Sequence, residues 1–106
     1  MNQEKITHYL EEHYPHDLDK ILLADGFEEA FIGICEVHSQ DPIGLFDYDK
    51  CIAILVERDV MEWSEAVEYM DFNVIGAWVG EHTPGFVMRF DAELYDKNTK
   101  ASKQGT

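Results

Sequence analysis

The sequence predicts an α+β fold: a small three-stranded, largely antiparallel sheet packed with about four helices, in the order α-α-β-β-α-α-β. Three observations carry this expectation. Apolar residues recur at three- and four-residue steps from Trp63 to Ala77, which is the period of a helix. Two runs rich in β-formers, 30–37 (AFIGICEV) and 42–48 (PIGLFDY), flank a short polar break, and a third follows at 86–90 (FVMRF). The 106 residues, 45% of them hydrophobic, contain no internal repeat and suit one domain at 1–95 with a polar tail at 96–106.

Each element has its own signal. Residues 2–14 read as a helix with Ile6, Tyr9, Leu10 and His13 on one face and Asn2 as candidate N-cap; Pro15 ends it. A short second helix over 17–24 would turn Leu18, Ile21 and Leu22 inward, and Asp25-Gly26 marks a turn or cap. The strand at 30–37, which could alternatively extend a helix from Gly26, is followed by four or five polar residues that suit a hairpin, and Pro42 fits a strand's first residue. Asp47 or Asp49 caps a helix over 49–59 whose inward face is Cys51, Ile52, Leu55 and Val56.

The fourth helix spans 61–79. Trp63, Ala66, Val67, Met70, Val74 and Ala77 share a face. From Phe72 onward apolar residues appear all round, Trp78 and Val79 included, so its second half is expected to run buried through the core. Gly80 suits a left-handed C-terminal cap, and Pro84 follows where a helix cannot resume. Thr83-Pro84-Gly85 fits a tight turn, and a strand is expected at 86–90 with a continuation to Leu94. The tail has no apolar residue beyond one alanine and reads as disordered.

The net charge of −14 is the strongest global fact: eight basic residues face 22 acidic ones. Lys97, Lys100 and Lys103 fall in the tail, so the body is more acidic still. Such a surface repels phosphates and anionic lipid, which argues against direct nucleic-acid or membrane binding and for a protein partner with a basic surface. Plain solubility explains an acidic surface equally well. No apolar run approaches the roughly 18 residues that span a bilayer, and the polar start MNQEKITHYLEEH is unlike a signal peptide, so the cytoplasm is the expected compartment. Cys35 and Cys51 lie in apolar runs with no zinc spacing and read as buried free thiols.

Two stretches, DYDKCIAILVERD at 47–59 and MEWSEAVEYMDFNVIGAWVGEHTPGFV at 61–87, resemble a block found in small proteins of tailed phages, prophages and some bacterial genomes. In that pattern a strand ends in YDYDKC, a helix follows, then D-G-M-S/T, then E-E-A-x-E-Y/W-F/M-x-F-N-x-x-G-A-Y/W-V-G-E-x-T-P. DGFEEAFIGI at 25–34 resembles the group's upstream segment. The chain departs at Val60, where the pattern has glycine, and at Glu62, where it has a capping serine or threonine. The group has no established activity, so the resemblance implies a phage or prophage accessory protein and no chemistry.

The candidate sites are few. Asn73, expected on or beside the buried face, needs partners there and reads as a pin for a neighbouring loop or strand, with ligand contact as its alternative. Gly76 in a helix interior costs up to ~1 kcal/mol and implies close packing against another element. With Trp78, Gly80 and Pro84 these form a structural motif. His8, His13 and His16 miss the i, i+4 spacing of metal-binding helices. Glu81-His82 is an isolated loop pair, and no cofactor is expected. Asp47, Asp49, Asp59, Glu62, Glu65, Glu68 and Asp71 form an acidic concentration without calcium-loop spacing, and are the candidate interaction face.

Three functions fit. The first is a non-enzymatic interaction protein that binds and modulates a host protein. The second is an acidic DNA mimic that inhibits a DNA-binding enzyme. The third, a small metal-dependent hydrolase, lacks a nucleophile or phosphate-loop motif. Mimicry needs a regular carboxylate row, whereas Glu62, Glu65, Glu68 and Asp71 would lie ~4.5 Å apart along a helix and drift ~60° per step. A homodimer could build a longer stripe.

Overall fold

A computed structural model describes residues 3–77 and 80–93. The fold is α+β. Its elements are α1 (Gln3–His13), β1 (Phe31–Cys35), β2 (Ile43–Asp47), α2 (Tyr48–Arg58), α3 (Trp63–Tyr69) with a π-helical continuation Met70–Ile75, and β3 (Gly85–Val87). The expectations for Trp78, Leu94 and the tail at 96–106 lie outside the described residues.

β2 is the central strand, with β1 antiparallel on one side and β3 parallel on the other. The sheet is therefore mixed, which corrects the expectation of a largely antiparallel one. A parallel neighbour requires a long crossover, and α2 and α3 supply it between β2 and β3.

Three phenylalanines at matching register cross the sheet: Phe31 pairs with Phe46, and Phe46 with Phe86. Their rings stand 5.6 and 5.9 Å apart, within the range where aromatic pairs attract. Against this row pack Ile6 and Leu10 of α1, Cys51, Ile52 and Leu55 of α2, and Ala66 and Met70 of the third helix, all buried.

The expected second helix is absent. Residues 14–21 form turns instead, with Ile21 N–H donating to Asp17 O at 3.0 Å, and only Ile21 of the apolar trio is buried. Eight residues make a marginal helix, and Asp17 and Asp19 favour turns. The backbone at Leu22 instead lies against β2, where a Cβ on Gly44 would stand 3.2 Å from Leu22 O. Among the described residues three α-helices therefore replace the four expected.

The second half of the third helix is not buried. Phe72 is 75% exposed and Ile75 40%, and Asn73 and Ala77 are exposed too. Only Ala66 and Met70 are buried, with Val67 and Val74 packed at the core's edge. The change to π-type hydrogen bonding at Met70 breaks the 3.6-residue period, so apolar positions beyond it do not return to one stripe.

Candidate functional site

Parts of two stretches that carry the resemblance, 25–34 and 61–87, meet at one cleft of about 420 Å³. One wall is the segment from Leu22 to Phe27, the other is the helix face of Tyr69, Asn73, Val74 and Ala77, and Thr83, Pro84 and Phe86 close the end. The lining is mostly apolar. Its polar residues are Asp25, Tyr69, Asn73 and Thr83, and among the described residues no cationic side chain lines it.

The first wall is fixed from behind. Gly26 adopts φ +89°, a conformation that favours glycine. Its N–H donates to Glu28 Oε2 at 2.7 Å, and its carbonyl accepts from Arg58 Nη1 at 2.6 Å. The Arg58 guanidinium also lies 5.6 Å from the centre of the Phe27 ring and pairs with Asp59 at 3.0 Å. This pairing is the first cause raising the Arg58 pKa and lowering that of Asp59. Phe27 is buried, so the turn presenting Asp25 is tied at both backbone groups and at the next side chain.

The second wall corrects two expectations. Asn73 is exposed and pins nothing; its side chain has no hydrogen bond among the described residues, and it lines the cleft. Gly76 does not pack against another element. A Cβ there would meet Asp71 O at 3.1 Å and Phe72 O at 3.2 Å, the carbonyls of its own π-helical turn. Gly80 is not the helix cap, since the helix ends at Ile75. With φ +111° it opens a turn whose carbonyl accepts from Thr83 N–H at 3.2 Å and Thr83 Oγ1 at 2.6 Å. The expected turn at Thr83–Gly85 is thus displaced: Pro84 leads into β3, and Gly85 starts it where a Cβ would stand 2.9 Å from Leu45 Cδ2.

The seven carboxylates of the expected face divide. Asp47 is buried; Oδ1 caps α2 by accepting from Lys50 N–H at 3.2 Å, and Oδ2 pairs with Arg89 at 2.9 Å. Asp59 is held by Arg58, and Asp71 accepts from the Tyr48 hydroxyl at 3.3 Å. Burial, with Asp71 next, raises the Tyr48 pKa. Asp49 is exposed at the start of α2. Glu62, Glu65 and Glu68 are exposed and have no hydrogen-bond or ion-pair partner among the described residues. With Ala66 and Met70 inward, ~100° per residue puts Glu65 and Glu68 on the outer side, where Phe72 follows Glu68 by four positions and is exposed. Tyr69, on the cleft wall, likewise follows Glu65 by four, and such positions are neighbours on a helix. The acidic face therefore adjoins the cleft.

The histidines lie elsewhere. His8 pairs with Glu12 at 2.8 Å on the exposed side of α1, and the His13 ring lies against Tyr9 at a tilt, with centroids 4.9 Å apart. His82 Nε2 lies 3.5 Å from Asp41, while its buried Nδ1 has no partner among the described residues. Among the described residues no group of three or more His, Cys, Asp or Glu is placed to hold a metal ion, and no helix is long and apolar enough to cross a membrane. Asp25, which sequence reasoning treated only as a turn residue, and Arg58 are the groups it missed. The one hint was that Asp25-Gly26-Phe27 opens the upstream segment of the resemblance.

No family model, no curated protein and no solved structure matches the chain.

Proposed function

We propose that the protein is a small acidic accessory protein of the phage type, which acts without catalysis in the host cytoplasm by binding and modulating a host protein with a basic surface. The observation that carries the reading is the outer side of α3. Glu65 and Glu68 on that side, and Glu62 just before the helix, have exposed side chains without a partner among the described residues; Phe72, four positions after Glu68, is 75% exposed, and Trp63 at the helix start is 58% exposed. Exposed aromatic anchors set among charged rim groups are the composition of a binding surface. The phage origin rests on the resemblance at 25–34, 47–59 and 61–87 alone. DNA mimicry draws on the same charge, but Asp47, Asp59 and Asp71 are engaged within the fold, which leaves Glu62, Glu65 and Glu68 in a short row and Asp49 apart on α2.

Capture from a bacterial lysate tests the reading when wild type and the Glu62→Gln/Glu65→Gln/Glu68→Gln variant are compared at low and high salt. The expected outcome is a basic protein retained by wild type at low salt, released as salt rises because exposed charges are screened, and retained poorly by the variant. Equal retention by both proteins at every salt concentration would remove the acidic face from the binding surface.

A further inference from the structure

We propose that the cleft is an anchor site for one arginine side chain of that basic partner. The inference rests on the protein-binding reading and adds the residue chemistry it selects. Among the described residues Asp25 is the only charged one lining the cleft, and neither it nor Asn73 has a side-chain partner there. A carboxylate and an amide oxygen, both acceptors, stand at the edge of an apolar floor made by Phe27, Val74 and Phe86. That set fits a group with an apolar stem and a cationic, donor-rich end. Arginine fits better than lysine, because its planar guanidinium takes a carboxylate with two parallel bonds and stacks on aromatic rings, and Tyr69 supplies a ring on the wall.

The volume of about 420 Å³ lies at the low end of ligand sites, which run roughly 300–1,000 Å³. It suits a side chain better than a cofactor. The cleft behind the same turn, lined by Glu28, Glu57 and Arg58, has its cation already in place. The wall that offers Asp25 is held by the Arg58–Gly26 bond before any ligand arrives, so little ordering remains to be done on binding. Glu65, one turn from Tyr69, extends negative charge from the cleft onto the helix and would guide a basic segment toward it.

Butylguanidinium, the arginine side chain with one further carbon standing for Cα, tests this on the full chain with no partner protein present. Amide chemical shifts are followed by NMR as the probe is added, with butylammonium and neutral pentanol as comparisons. The expected result is saturable shifts confined to residues around 24–27, 69–77 and 83–86. Asp25→Asn, whose amide suits the same turn, should weaken binding roughly tenfold. Ala77→Phe, which fills the cleft without touching its charge, should abolish it. Butylammonium should bind more weakly than butylguanidinium, and pentanol more weakly still. Non-saturating shifts spread over the acidic surface would overturn the proposal, as would equal binding by pentanol or undiminished binding to Ala77→Phe. Because lysate capture by the acidic face is read separately, failure here with capture intact would reject the cleft and leave the protein-binding reading standing.

Discussion

Val60 stands at φ +56° with its side chain 86% exposed. A β-branched residue in the left-handed region crowds the following carbonyl, at roughly 1–2 kcal/mol, and so exposed a side chain gains little from packing. Val60→Gly should raise stability by about 1 kcal/mol once the extra backbone entropy of glycine is subtracted. A higher urea midpoint at unchanged slope checks this; an unchanged midpoint would mean that the joint between α2 and α3 carries no strain. The position was legible in the sequence, because the resembling pattern has glycine there. Asn73 was not: its burial was inferred from a helical period that the π-helical turn at Met70 interrupts, and single residues give no warning of such a turn. Cys51 was read correctly as buried, and its burial pushes the thiol pKa from 9.0 up to about 12. The unfolded chain then loses this proton near pH 9 while the folded chain keeps it, so the contribution of Cys51 to stability falls as pH rises from 9 to 12. Denaturation midpoints measured across that window should decline more steeply for wild type than for Cys51→Ala, and parallel declines would contradict the assignment.

At the scale of elements, the junction of β2 and α2 depends on one carboxylate. Asp47 both caps α2 and holds Arg89 beyond β3, tying the central strand, its helix and its parallel neighbour together. Asp47→Ala should cost about 1–2 kcal/mol, the value of a lost N-cap with a partly exposed ion pair added. Asp47→Asn keeps a capping oxygen and should cost under ~1 kcal/mol. Thermal or urea denaturation of the two variants separates cap from ion pair, and equal losses would show that the charge matters more than the cap. The cap itself was legible, since Asp before a helical period is a start signal. The direction of β3 was not, because a three-residue strand holds no information on which edge it joins. That choice is made by the length of the α2–α3 crossover and by the Phe86 ring completing the row of Phe31 and Phe46. The segment 17–24 shows the same limit: its apolar spacing suits a helix, yet Gly44 leaves room for it to cross the sheet as extended chain.

At the scale of the whole molecule, a charge of −14 is spread over a small α+β body. The sequence identified the acidic residues, but could not separate carboxylates engaged within the fold from those offered outward, because that depends on which cation or hydroxyl the chain brings near. Arg89, Arg58 and Tyr48 take Asp47, Asp59 and Asp71, and leave Asp49 on α2 and Glu62, Glu65 and Glu68 at the third helix. The central claim is that these three draw a basic protein onto the face of α3 beside the cleft. The association rate constant of the captured partner, measured at low ionic strength against wild type and against Glu62→Gln/Glu65→Gln/Glu68→Gln, tests it most directly. Asp71 stays unchanged in this variant so that its bond to Tyr48 survives. The account predicts association slowed about tenfold with dissociation little changed, since rim charges act on encounter, and a difference that shrinks as salt is added. An association rate equal for the two proteins at low salt would contradict it.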